Sequence, residues 1–285
     1  MGLVNKHLLG ENGYNTNRPI LWIHSDNAMN SRSWITFGSR NTTKSNQPYL
    51  ECCLETIIRG CGESFNICLI DDTSFEKLIP EWKINLNNLA SPVKEHIRLL
   101  AISKLLNNYG GMSIPESTIV LDDLLDTYNK GVNNNGFFVG NMNSNLLNNC
   151  SCHPNKYILG CIKQNKKMKE FMKFLEMINS KDYTSEMDFN LAVEKYLQKF
   201  IKEKRINSIC SKTFGGKDIN NNVIKLENLM SDKSINYSPI TKCVVIPKED
   251  LLNRSQYGWF LKLSKEQIYE SNFALAKLLI MVQNQ

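Results

Sequence analysis

Apolar and polar positions are grouped in blocks along this chain, and the period changes from block to block. Pro19 to His24 (PILWIH) is a short apolar run bounded by turn residues, and Phe65 to Ile70 (FNICLI) is a second that ends at Asp71-Asp72. Continuous apolar runs of this length predict buried strands. From Tyr49 to Ile58, Leu50, Leu54, Ile57 and Ile58 fall at helical spacing. The clearest helix begins at Ser91-Pro92, where Ser can cap free N–H groups and Pro at the first helical position loses no bond. Val93, Ile97, Leu100, Ala101 and Leu105 trace its expected core face, and Gly110-Gly111 stops it.

Met112 to Val120 continues as extended chain interrupted by Pro115, and Gly136–Gly140 (GFFVG) and Tyr157–Cys161 (YILGC) predict further strands. Two Lys-rich amphipathic helices follow, near Asn165–Asn179 and Ser185–Lys204, with Ser185 and Asp188 as a capping box for the second. A Gly215-Gly216 turn, a short strand Cys243–Ile246 and a last helix from Ser264 complete the pattern. That helix points Ile268, Leu275, Leu279 and Val282 at a core. Strands alternate with helices without a Pro/Gly/Ser-rich linker, so the expectation is a single α/β domain: an arm over 1–18, a core over 19–205 and an extension packed on it over 206–285.

Composition changes this picture in few places. At 42% hydrophobic and 22% charged the 285-residue chain lies in the globular range. No apolar run approaches the roughly 18 residues that cross a bilayer. Met1 to Asn17 lacks the apolar core of a secretory signal. Gly2 does not complete a myristoylation motif, because Lys6 stands where Ser or Thr belongs. Nine cysteines, an odd number set mainly in apolar stretches such as Cys52-Cys53-Leu54, read as reduced buried thiols of a non-secreted, cytoplasmic protein. Asn, Lys and Ile are abundant, with runs at 133–135 and 220–222, as an AT-rich genome would produce.

The chemistry is carried by Leu99 to Val120, LLAISKLLNNYGGMSIPESTIV. A helix running into Tyr109-Gly110-Gly111 and then a strand resembles the core signature of the DXD sugar-transferase and capsular polysaccharide synthesis glycosyltransferases. PILWIHSDN, FNICLIDD, GFFVG and YILGCIKQNKKMKEFMKFLE resemble that family's other elements in order, over Arg18 to Glu176. The resemblance implies a GT-A-like (Rossmann-like) mixed sheet flanked by helices. It also implies a strand-end carboxylate pair holding Mn²⁺ or Mg²⁺, with the ion neutralising the diphosphate of a nucleotide sugar. Gly110 and Gly111 would let the backbone turn beside that nucleotide.

The departures from the family pattern fall on the ligands. The metal triplet aligns with Pro115-Glu116-Ser117, which leaves only Glu116 acidic, and the helix Asp and Arg positions align with Leu99 and Ile102. Arg98 and Glu95 lie about one turn upstream and could partly substitute. Asp71 and Asp72 could hold ribose or metal, or could be a solvated loop after a strand. His24 and Asp26, ending the first strand, stand where α/β folds often place ligand groups. Asp122-Asp123 reads as the exposed first turn of a helix rather than a displaced metal pair. Cys150, Cys152, His153 and Cys161 lack the zinc-knuckle spacing.

Lys163, Lys166, Lys167, Lys169 and Lys173, with Lys199, Lys202, Lys204 and Arg205, read as the solvated faces of amphipathic helices rather than a nucleic-acid site. With several ligands missing at once, the expectation is a degenerate glycosyltransferase without a cofactor, serving as a structural or binding protein. Its partners would be other proteins, and the resemblance to sugar-transferase-like proteins of large DNA viruses implies capsid or assembly partners and a cytoplasmic or virion location. The alternative is an active nucleotide-sugar-dependent transferase acting on glycans, with Glu116, Asp71 or Asp72 compensating.

Overall fold

In the computed structural model, residues 4–8, 14–26, 47–143, 152–181 and 186–284 are described. The chain folds as two compact units. The first comprises Met1–Ser25, Cys61–Pro115 and Leu124–Ser211, and the second Asp26–Gly60, Glu116–Asp123 and Lys212–Gln285. Of the expected extension over 206–285, residues up to Ser211 belong to the first unit, and Lys212–Gln285 shares a unit with 26–60 and 116–123, two stretches that the sequence groups mostly with the core.

The first unit is built on a mixed six-stranded sheet. In chain order its strands are β1 (Ile20–His24), β2 (Asn66–Ile70), β3 (Gly111–Pro115), and then β5 (Phe137–Asn143), β6 (Cys152–Cys161) and β7 (Asn207–Ile209), in the spatial order β2-β1-β3-β6-β5-β7. β1 runs parallel to both β2 and β3, and β6 runs antiparallel to β3 and β5. Ile20, Leu21, Trp22 and Ile23 are all fully buried, the pattern of a central strand covered on both faces. Helices α2 (Ser74–Leu78), α3 (Val93–Tyr109), α4 (Leu125–Val132), α5 (Lys166–Asn179) and α6 (Glu186–Lys202) belong to the same unit. The α/β class and the helix-flanked mixed sheet agree with the sequence expectation and are compatible with a Rossmann-like fold.

Helix α3 departs from the expected single stripe. Leu99, Leu100, Ala101, Ile102, Ser103, Leu105 and Leu106 are all buried, so it is covered nearly all round, while Val93 is exposed. Ser91 does not cap it. Its hydroxyl donates to Glu95 Oε1 at 2.8 Å, and Pro92 occupies the cap position without a side-chain bond. The helix ends at Tyr109, and the two glycines that follow, Gly110 and Gly111, have left-handed φ of +76° and +101°. A Cβ on Gly111 would lie 2.1 Å from the Ile20 carbonyl oxygen, so this residue is glycine because β1 approaches its backbone. Trp22 Nε1, buried in the sheet, donates to the Gly110 carbonyl at 2.9 Å.

The second unit contains α1 (Pro48–Cys61, all but its last residue), a two-stranded antiparallel ribbon of β4 (Thr118–Val120) and β8 (Cys243–Val245), and helices α7 (Leu226–Leu229), α8 (Lys248–Asn253), α9 (Lys265–Tyr269) and α10 (Ala274–Gln283). Its core joins Tyr49, Cys53, Ile119, Val244, Phe260, Ile268 and Leu275. The single last helix expected from Ser264 is two, α9 and α10. Ser264 and Gln267 form a reciprocal capping box that opens α9, and Ile268 together with Leu275, Leu279 and Val282 of α10 is buried as expected. Ser185, expected to cap α6, lies outside the described residues.

Candidate functional site

Three of the sequence candidates meet at the C-terminal ends of the parallel strands, the usual ligand edge of an α/β sheet. His24 is the last residue of β1, Asp72 follows β2, and Arg98 projects from the second turn of α3. The Asp72 carboxylate accepts from Arg98 Nε at 2.7 Å and Arg98 Nη2 at 2.6 Å, the two-pronged geometry that suits a guanidinium. His24 Nε2 lies 3.0 Å from Asp72 Oδ1, and Lys94 Nζ 3.8 Å from Oδ2. The His24 ring stacks on Phe75 with planes 2° apart. Glu95 Oε1 stands 3.7 Å from Arg98 Nη1. Burial alone would raise the Asp72 carboxyl, but the bonds from His24 and Arg98 outweigh it and hold the group well below the usual carboxylate range. The Asp72 side chain is only 13% exposed. It is not the solvated loop residue that one reading of the sequence allowed.

Its neighbour does something else. Asp71 Oδ1 accepts from the Thr73 hydroxyl and from both the backbone and the hydroxyl of Ser74, at 2.7 to 2.9 Å, fixing the turn that opens α2. Against the upward push of partial burial, those bonds lower its carboxyl. Gly110 and Gly111 are accounted for by the close approach of β1 and by the Trp22 bond, contacts that the protein makes with itself.

Glu116 belongs to the second unit. It is 7% exposed, with Lys248 Nζ 3.6 Å from Oε2. Tyr49 and Cys53 of α1 are fully buried, and burial, their mutual proximity and the Glu116 carboxylate all push the Tyr49 hydroxyl well above its ordinary value. The next residue, Ser117, donates its hydroxyl to the Ile246 carbonyl at 2.8 Å and accepts the Ile246 N–H on its own carbonyl. Pro115, Glu116 and Ser117 thus offer one carboxylate, set among a phenol, a thiol and an ammonium. This donor set does not fit a Mn²⁺ or Mg²⁺ ion that needs several converging oxygens. Among the described residues no group of three or more His, Cys, Asp or Glu side chains is placed to hold a metal.

The remaining candidates disperse. Asp26 is partly buried and is counted with the second unit. Asp122 pairs with Lys242 at an exposed position ahead of α4, so Asp126, not Asp122 or Asp123, occupies that helix's first turn. Cys150 lies outside the described residues, Cys161 is buried with its thiol donating to Ile162 O, and His153 Nδ1 lies 2.5 Å from Glu194 Oε1.

One buried group escaped the sequence. His96 is 3% exposed, stacked on Phe189 of α6 with ring centroids 3.6 Å apart, and its Nε2 has no hydrogen-bond partner among the described residues. Burial, with a smaller push from Lys156, lowers it to about 4, so the ring is neutral near pH 7. The only signal was its spacing: His96 stands three and four residues before Leu99 and Leu100 on one helix face. No known family model and no curated protein matches this chain.

Proposed function

We propose that this chain is a GT-A-like protein whose donor and metal positions have become structural contacts, and that it works by binding other proteins as an assembly component, in or on a virion, rather than by glycosyl transfer. The observation that carries this reading is the state of Asp72. It is the candidate best placed at the ligand edge of the sheet, and Arg98 and His24 between them already bond both of its oxygens. A sugar nucleotide would need that carboxylate free, or a cation in place of the guanidinium. The other two acidic candidates are likewise engaged, Asp71 in the α2 turn and Glu116 beside Lys248. With Arg98 and Lys94 both drawn to Asp72, the cations at this edge are committed within the protein rather than to a leaving diphosphate, whose neutralisation is usually the largest catalytic contribution.

The competing reading, an active transferase for glycans, draws support from the same place: His24, Asp72, Lys94 and Arg98 do converge at the C-terminal strand ends. Thermal shift separates the two. Uridine, guanosine and cytidine diphosphates and their sugar conjugates, each with and without Mn²⁺, should leave the melting temperature unchanged. A Mn²⁺-dependent rise, or sugar turnover that disappears in Glu116→Ala or Asp72→Asn, would establish the transferase reading instead.

A further inference from the structure

The two Lys-rich stretches 163–181 and 195–205 hold eleven Lys and Arg against three Glu, an excess larger than the +6 of the whole chain, so the rest of the protein is net acidic. The structure adds what happens to those three acids. Glu170 is taken by Arg205, Glu203 by Arg205 and Lys199, and Glu176 by Lys104 at 2.8 Å. Lys163, Lys166, Lys169, Lys173, Lys195 and Lys202 are all exposed, and none has a carboxylate within 4 Å among the described residues. Lys166, Lys169 and Lys173 sit at i, i+3 and i+7 of α5, and Lys195, Lys199 and Lys202 at i, i+4 and i+7 of α6, so each helix shows one basic stripe about 10 Å long. The helices are neighbours: Tyr196 of α6 stacks on Phe174 of α5 at 3.9 Å, and its hydroxyl donates to the Glu170 carbonyl. The two helices therefore meet at an aromatic seam, and each carries its own basic stripe.

We infer that this α5–α6 face is the partner-binding surface, and that its occupant is an acidic, amphipathic segment of another protein. Uncompensated charge of one sign on rigid helices selects a partner of the opposite sign and speeds its encounter. Two observations favour a protein over a nucleic acid. The aromatic faces that could stack bases are already used: Phe174 and Tyr196 cover each other, and Arg205 lies 4.2 Å over Phe200. Among the lysines, Met177 and Ile162 are 49% and 45% exposed, apolar contacts that a phosphate backbone leaves unused and an amphipathic helix would cover. The inference deepens the proposed assembly role by naming the chemistry of the partner, and it rests on that role.

The probe is a fluorescein-labelled synthetic helix with Glu on one face and Leu on the other. Anisotropy is read on the full chain beside a single-stranded oligonucleotide and beside phosphatidylserine vesicles. The peptide should bind most tightly and weaken steeply between about 50 and 500 mM salt. The charge reversals Lys169→Glu, Lys173→Glu and Lys195→Glu together should weaken it at least about tenfold. The same number of reversals at exposed Lys83, Lys233 and Lys262 should not, and circular dichroism on both triple variants checks that they fold; Lys→Gln versions replace any that does not. No peptide binding, equal loss in the control variant, or tighter binding to the oligonucleotide or the vesicles would overturn the inference. Sugar-nucleotide turnover, assayed on the same preparations, is a separate readout: its presence refutes the non-catalytic reading whatever the peptide does.

Discussion

Replacing Asp72 by Asn tests whether the cluster at the strand ends is a structural clasp. The wild-type carboxylate takes two bonds from Arg98 and one from His24, and its side chain and that of Arg98 are only 13% and 12% exposed. Asn keeps one acceptor oxygen but turns an amide NH₂ toward the guanidinium, leaving Arg98 and Lys94 without their shared anion. Glu95, 3.7 Å from Arg98, offsets part of the loss. Removing one partner from a largely buried, hydrogen-bonded ion pair costs about 3 kcal/mol, roughly 6–12 °C in melting temperature for a chain of this size. The sign of the pH dependence follows from the depressed Asp72 carboxyl. Its contribution is complete above the unfolded carboxylate value near 4 and is lost as pH falls through the lower folded value. The gap between wild type and variant should therefore be full at pH 7 and shrink below about pH 4. Urea titrations at both pH values measure it, and Asp72→Asn with Arg98→Gln should recover part of the loss in a double-mutant cycle. A difference under about 1 kcal/mol at pH 7, or no coupling in the cycle, would refute the clasp and return Asp72 to the pool of free ligand groups.

Other substitutions probe the remaining contacts. Gly111→Ala should cost about 3 kcal/mol or more, because φ is +101° and the new Cβ would meet the Ile20 carbonyl at 2.1 Å; denaturant midpoints would show it. His96 is neutral in the fold and titrates at about 4, against about 6.5 unfolded, so its contribution is full above pH 6.5 and falls by up to about 3 kcal/mol as pH drops to 4. His96→Phe, which can keep the stack on Phe189 and removes the unsatisfied nitrogen, should flatten that acid limb in thermal melts across this range. Ser117→Ala should lose about 1–2 kcal/mol with the buried bond to the Ile246 carbonyl, measured by chemical denaturation.

The strands were legible because burial on both faces leaves uninterrupted apolar runs. PILWIH and FNICLI became β1 and β2, and GFFVG and YILGC became parts of β5 and β6. Helix α3 was legible in its extent but not in its faces, since a helix apolar on nearly every side has no stripe to read. The division into two units was hidden because each is assembled from three separate stretches, and no linker marks the joints. At the candidate site, strand-end position brought out His24 and Asp72, and helix arithmetic brought out Arg98. What periodicity could not supply was partnership: that Arg98 would turn to Asp72, that Asp71 would turn the other way to Ser74, and that Glu116 would lie beside Lys248.

Partnership is also what separates the two functional readings, and it does so through electrostatics rather than residue count. A ligand edge with His, Asp, Lys and Arg side chains looks chemically equipped, yet its charges are mutually neutralised before any substrate arrives. Opening it would require a ligand to replace the Arg98–Asp72 bonds as well as supply its own. Most lysines of α5 and α6 are in the opposite condition, since the three acids beside them are held by Arg205, Lys199 and Lys104. An incoming anion there displaces only water and salt. Free energy for association is therefore more accessible on these helices than at the sheet edge, which is the distribution that the proposed partner-binding role requires.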